Sequence, residues 1–278
     1  MRAVDIRRRY GRPHSDMLLF RPAIALPCLL MLALALAFRA VPAVAGEPTS
    51  TLVMVGVKKN MEATLFTPAG PGPFPSVVVL HTSQGMTEVD RQYCARLARE
   101  GFICIAPAFL RAHGIRLETK MDTFTTDREA IMADLQQIIG ELNRLPNARP
   151  GAVGAVGFSN GGFFSVLLAA RGSIKAGVAY YGALMGVGQK LPANPFLQSF
   201  TAASAPVLVL AGENDTTMGM PPVRLLEQIM KAAGAPHEVV FYRDAEHGFD
   251  RNNLRPGNGA AGADAWARTL AFLRSNAR

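Results

Sequence analysis

Gly157-Phe158-Ser159-Asn160-Gly161-Gly162 follows the apolar run Ala152-Val153-Gly154-Ala155-Val156 and precedes the helix-compatible Phe163-Phe164-Ser165-Val166-Leu167-Leu168-Ala169-Ala170. The order is strand, sharp turn, helix, with a serine at the apex, which is the context that makes a G-x-S-x-G pattern a nucleophile elbow. Glycines on both sides matter because a Cβ in so tight a turn would collide with neighbouring backbone. The pattern has only three fixed positions in a chain with 26 glycines, so the flanking strand and helix carry the reading.

An elbow of this kind requires an acid and then a base further along the chain. The next strong strand, Ala205-Pro206-Val207-Leu208-Val209-Leu210-Ala211, opens into the polar loop Gly212-Glu213-Asn214-Asp215-Thr216-Thr217. After a helix from Pro221 to about Ala233, the β-rich run His237 to Tyr242 leads into Ala245-Glu246-His247-Gly248-Phe249-Asp250. Asp215 and His247 therefore each lie just past the carboxyl end of a strand, the edge where open α/β sheets bind ligands.

Rival bases are poorly placed. Of the five histidines, His14 falls in the leader, His113 in a loop before the elbow and His237 at the wrong end of its strand. His81 ends the strand Ser76-Val77-Val78-Val79-Leu80 and precedes the serine, a position suited to shaping the oxyanion region. His247 is the candidate general base. Glu213 competes with Asp215 as the acid, and Asp215 is preferred because its shorter side chain, set further into the loop, holds an imidazole nitrogen with less slack.

Together these residues resemble the dienelactone hydrolase family of small α/β-hydrolases. The resemblance runs from about Leu65 to the C-terminal helix. It takes in Leu80-His81-Thr82-Ser83-Gln84-Gly85, Ala106-Pro107-Ala108, the elbow, Ala179-Tyr180-Tyr181-Gly182, Gly212-Glu213-Asn214-Asp215 and His247-Gly248-Phe249. It implies a triad of Ser159, Asp215 and His247, with an oxyanion hole built from the backbone amides of Asn160 and Ser83. It also makes Arg251, Tyr181 and His81 candidate substrate contacts. Arg251 stands four residues after His247, where similar enzymes place an arginine whose planar fork holds a substrate carboxylate. The alternative is a solvated arginine in a polar loop that also holds Asp250 and Arg255.

The chain departs from the family's best-known members, which carry a cysteine nucleophile and a glutamate in the loop after the early strand. Ser159 and Thr82 stand at those positions. A serine at its ordinary pKa depends on a histidine base, so the expected substrate is a small carboxylic ester rather than a dienelactone. A peptidase of the same fold, and a catalytically silent exported binding protein on a hydrolase scaffold, are the alternative functions.

Residues 1–45 read as a targeting leader: Arg7, Arg8, Arg9, Arg12 and Arg21, then an apolar stretch from about Pro22 to Phe38, then Ala43-Val44-Ala45 as a small-x-small cleavage signal. Cleavage after Ala45 would start the mature chain at Gly46 in the periplasm or outside the cell. The apolar stretch is short and carries Pro22 and Pro27, which argues against a stable membrane span, although an uncleaved anchor is the alternative. The leader holds seven of the 29 Lys and Arg and two of the 21 Asp and Glu, which leaves 22 against 19 and a net charge of +3 rather than +8. That balance, with no recognisable binding motif, excludes a nucleic-acid partner. No dinucleotide fingerprint, phosphate loop or zinc-type spacing is present, so neither cofactor nor metal is expected.

The remaining 233 residues suit one α/β domain. Strands are expected near 51–57, 61–66, 75–80, 102–106, 152–158, 175–181, 206–211 and 238–243, with helices near 87–100, 124–144, 161–171, 221–233 and 260–276. Short β-branched strands alternating with helices imply a mostly parallel sheet covered on both faces, a three-layer α/β sandwich. Connections 107–123 and 183–204 would hang over the catalytic edge, where Phe109, Leu110, Met121, Leu184, Met185, Phe196 and Phe200 could line an acyl or alcohol pocket. Trp266 is expected in the core with Leu270 and Leu273. Cys94 and Cys104 sit in apolar contexts and read as free thiols packing as small hydrophobes, although an oxidising compartment would permit a bridge.

Overall fold

Apolar β-branched residues fill the central strands because these are covered by helices on both faces, and the computed structural model shows how the two faces are shared. It describes residues 46–182, 199–251 and 258–278. Residues 1–45, expected to be a leader, and Leu184, Met185 and Phe196 of the second long connection, lie outside the described residues.

Eight strands form one sheet: β1 (Thr49–Val55), β2 (Met61–Thr67), β3 (Phe74–Leu80), β4 (Ile103–Pro107), β5 (Ala148–Phe158), β6 (Ala176–Tyr180), β7 (Val207–Gly212) and β8 (His237–Tyr242). Their order is β1-β2-β4-β3-β5-β6-β7-β8. The β1–β2 and β2–β4 pairs are antiparallel, and every pair from β4 to β8 is parallel. Among the described residues, six helices accompany them: α1 (Glu88–Arg99), α2 (Phe109–Ala112), α3 (Arg128–Leu142), α4 (Asn160–Ala170), α5 (Pro221–Ala232) and α6 (Asn258–Asn276).

The three layers follow from the period-2 alternation of buried strands. On β3, Val77 and Val79 point into a core shared with Cys94 and Leu97 of α1 and with Trp266, Leu270 and Leu273 of α6. Val78 and Leu80 point the other way, into a core shared with α3, α4 and α5 through Ile131, Leu135, Phe163, Phe164, Leu226 and Met230. Trp266 is a core residue, as expected, with the Arg96 guanidinium 3.7 Å above its ring.

Two details differ from expectation. The helix read over 124–144 is α3 at 128–142, preceded by a 3-10 turn at Lys120–Phe124, and the first long connection also contains the single-turn α2. The free-thiol reading is corrected, because Cys94 and Cys104 form a disulfide. α1 lies against β4 with the two Cα atoms 5.4 Å apart, inside the range a disulfide spans. Helix placement over the sheet sets that distance, and local sequence does not report it.

The chain order positions the site. From β3 the sheet grows in one direction through β4 and in the other through β5, so the crossover direction reverses between β3 and β5. Loops leaving the carboxyl ends of these two strands part there and open a crevice. Ser83 follows β3, and Ser159 follows β5.

Candidate active site

Ser159 joins β5 to α4 with φ 51° and ψ −111°, a conformation that L side chains rarely adopt. Backbone bonds hold the turn. The Ser159 amide donates to the Tyr180 carbonyl at 3.0 Å, Gly161 donates to the His81 carbonyl at 3.1 Å, and Gly162 donates to the Ser159 carbonyl at 2.9 Å. Glycine is required by contact on both sides. A Cβ on Gly157 would stand 2.1 Å from the Gly161 carbonyl oxygen, and one on Gly161 would stand 2.1 Å from that of Leu80.

Asp215 leaves the end of β7 and His247 the end of β8. These two loops are laced together, with Asn214 donating to the Ala245 carbonyl at 3.0 Å and Glu213 donating to the Tyr242 carbonyl at 2.9 Å. A Cβ on Gly212 would come within 2.3 Å of the Ala245 oxygen, so only glycine allows this approach. The lacing turns Asp215 inward, leaving it 6% exposed, and leaves Glu213 in solvent. Of the two carboxylates, Asp215 is the one that meets His247.

One Asp215 carboxylate oxygen, Oδ1, accepts the amides of Thr217 and Met218, both at 2.9 Å. The other, Oδ2, lies 2.8 Å from His247 Nδ1, and His247 Nε2 lies 3.0 Å from Ser159 Oγ. A carboxylate only accepts, so Nδ1 carries the proton and Nε2 is the lone pair facing the serine hydroxyl. Burial pushes the Asp215 pKa up, but the His247 bond and the amides of Met218 and Thr217 outweigh it and hold the carboxyl below its usual value. The group is an anion at neutral pH and keeps the imidazole in the tautomer a general base needs.

A cavity of about 650 Å³ opens over Ser159. Ser83 and Asn160 line it, and among the described residues neither backbone amide has a hydrogen-bond acceptor. Two unengaged N–H groups beside a nucleophile can receive a developing oxyanion. The apolar wall comes from Leu117, Met121, Phe124 and Met218. Of the residues expected to line it, Met121 does so, whereas Phe109, Leu110 and Phe200 are buried in the core. Leu117, Phe124 and Met218 lie in loops placed by tertiary packing, which local sequence does not report.

Tyr181, with φ 37°, lines the cavity and packs its ring against His247 at a centroid distance of 4.8 Å. Its hydroxyl donates to Asp250 and accepts from Arg251 Nε at 3.2 Å. Arg251 also lines the cavity, but it is not a solvated loop residue: its side chain is 19% exposed, and Nη2 donates at 2.6 Å to Asp90, which is completely buried. The guanidinium lies 4.5 Å over the Phe158 ring. The other oxygen of Asp90 caps α1 by accepting the Thr87 amide at 2.9 Å. Burial pushes the Asp250 pKa up against the pull of Arg251 and Tyr181.

His81 does not reach the cavity. Its side chain is fully buried and stacks on Phe109 at 4.2 Å, which corrects its reading as a substrate contact: the carboxyl end of β3 turns its ring into the core. His113 pairs with Asp134 at 2.8 Å, and His237 bonds the Ala235 carbonyl at 2.8 Å. Neither contacts Ser159.

An eight-stranded, mostly parallel sheet with a serine elbow, an acid and a histidine on its carboxyl edge defines an α/β-hydrolase. Residues 61–277 match the model of the dienelactone hydrolase family, and the chain belongs to that family. A Synechocystis protein named "Putative carboxymethylenebutenolidase" is 30% identical over 75% of this chain and 89% of its own length. A Salmonella typhimurium protein of the same name is 34% identical over 74% of this chain and 78% of its own. The solved structure of a "Putative Dienelactone Hydrolase" from Klebsiella pneumoniae superposes with a TM-score of 0.70 at 28% identity, covering 82% of this chain and 99% of that one. Family and fold make the protein an ester-cleaving hydrolase.

Proposed function

We propose that this protein is an exported serine carboxylesterase working through a Ser159–His247–Asp215 triad and an acyl-enzyme. The observation that carries the proposal is the continuous chain from Asp215 Oδ2 to His247 Nδ1 at 2.8 Å and from His247 Nε2 to Ser159 Oγ at 3.0 Å.

His247 Nε2 takes the hydroxyl proton as Ser159 Oγ attacks the ester carbonyl carbon. The carbonyl oxygen becomes an anion received by the Ser83 and Asn160 amides, a contribution of about 3–4 kcal/mol for one such donor in comparable sites. Collapse of the tetrahedral intermediate expels the alkoxide, which leaves with the proton from His247. Water then attacks the acyl-serine with His247 again as base, releasing the acid and restoring Ser159. The cavity and its apolar wall suit a small ester. Export is supported by the leader pattern of residues 1–45 and by the Cys94–Cys104 disulfide, since such bridges persist in oxidising compartments.

The test is hydrolysis of p-nitrophenyl esters from acetate to octanoate by the chain starting at Gly46, beside Ser159→Ala, Asp215→Ala and His247→Ala. Loss of activity in all three variants is expected, and a wild type no faster than Ser159→Ala overturns the proposal.

A further inference from the structure

His81 is a fully buried histidine that the reaction above does not use, and its surroundings give it a task. Its Nδ1 lies 2.7 Å from the Thr82 carbonyl oxygen. A carbonyl only accepts, so Nδ1 carries the ring proton and Nε2 is a bare lone pair, which is buried and without a partner among the described residues. One ring face is stacked on Phe109 with an interplanar angle of 19°. Burial is the main reason its pKa is lowered to about 4, so the ring is neutral at any pH where the enzyme would be assayed.

The Thr82 carbonyl and the Ser83 N–H belong to one peptide unit. That unit is planar and trans, so its C=O and N–H point in opposite directions. Holding the carbonyl therefore sets the direction of the amide. Two donors hold it: His81 Nδ1–H, and the Gly85 amide at 3.1 Å. The His81 main-chain carbonyl meanwhile accepts the Gly161 amide at 3.1 Å, which ties this loop to the elbow that carries the Asn160 amide. One residue thus links both halves of the candidate oxyanion hole, through its ring on one side and its backbone on the other.

We propose that His81 is a positioning residue whose Nδ1–H clamps the Thr82 carbonyl and so aims the Ser83 amide at the developing oxyanion. The inference rests on the esterase reading. It assigns the unpaired Nε2 no catalytic role; the ring serves as a rigid, neutral donor.

The experiment compares wild type, His81→Leu and His81→Asn, each counted by fluorophosphonate titration of Ser159 so that rates refer to folded sites. Leucine fills the space without a donor, and the asparagine carboxamide places an N–H close to where Nδ1 carries one. Misaiming one of two oxyanion donors is expected to cost about ten- to a hundredfold in kcat, with KM changed less than twofold, because the amide binds the transition state more strongly than the ester. His81→Asn is expected to recover to within about threefold of wild type. Should His81→Leu not fold, His81→Met carries the same expectation. Wild-type kcat in the leucine or methionine variant, a loss expressed in KM, or an asparagine variant as slow as leucine overturns the inference. An inactive wild type instead overturns the esterase reading itself.

Discussion

The elbow is a place where conformational strain can be measured separately from chemistry. Ser159 at φ 51°, ψ −111° occupies a region that costs an L-residue about 1–3 kcal/mol and glycine almost nothing. Ser159→Ala and Ser159→Gly both lack the nucleophile and differ from each other only by a Cβ. Ala98 on α1 is the control, a fully buried residue in ordinary helical conformation. There, alanine to glycine is expected to cost about 1 kcal/mol in helix propensity plus about 0.8 kcal/mol in lost methyl burial. At position 159 the same losses are opposed by about 2 kcal/mol of relieved strain. Ser159→Gly is therefore expected to be at least as stable as Ser159→Ala, while Ala98→Gly falls about 2 kcal/mol below wild type. Urea unfolding reads both comparisons as midpoint shifts at constant m-value. If Ser159→Gly falls below Ser159→Ala by as much as Ala98→Gly falls below wild type, the elbow stores no strain and the argument fails.

Further outcomes follow from the contacts around the site. In Asp215→Asn the amides of Thr217 and Met218 keep the carboxamide oxygen, so an NH2 faces His247 and forces the wrong tautomer; kcat should fall by about 10⁴, and a loss under tenfold would contradict the assigned orientation. Arg251→Met leaves the buried Asp90 without its cation and should lower stability by about 3–5 kcal/mol in thermal or urea unfolding; an unchanged melt with only a raised KM would make Arg251 a substrate contact instead. The chain starting at Gly46, denatured without reductant, should show no thiol reactive to Ellman's reagent, and reduction should cost about 3 kcal/mol for a bridge spanning 10 residues. His81 folds with its pKa lowered from 6.5 to about 4, so the unfolded chain binds the extra proton between those values. Stability accordingly rises with pH across that window, by at most about 3 kcal/mol, and the penalty is fully present below pH 4 and absent above 6.5. Urea midpoints of His81→Asn should lack that part of the slope, and identical slopes in the two proteins would refute the assignment.

The elements of this fold were legible in the chain because their determinants are local. Buried parallel strands must be short, apolar and β-branched, helices must separate them, and the turn at Ser159 needs glycine where backbone meets backbone. Order along the chain was enough to point to His247 and to the loop that holds Glu213 and Asp215, since both follow strands that end on the same edge of a parallel sheet. Other features depend on which distant segments are brought together, and local pattern is silent about that. Cys94 and Cys104 bond because α1 lies against β4. Arg251 is not a solvated loop side chain because its guanidinium meets the buried Asp90, 161 positions earlier in the chain. Side-chain length and place in the loop favour Asp215 over Glu213, but only the lacing of the loops after β7 and β8 turns one carboxylate inward and leaves the other outside. His81 lies in the neighbourhood its position in the chain suggests, but the direction of its ring is decided by Phe109 and the core, so the ring itself does not line the cavity.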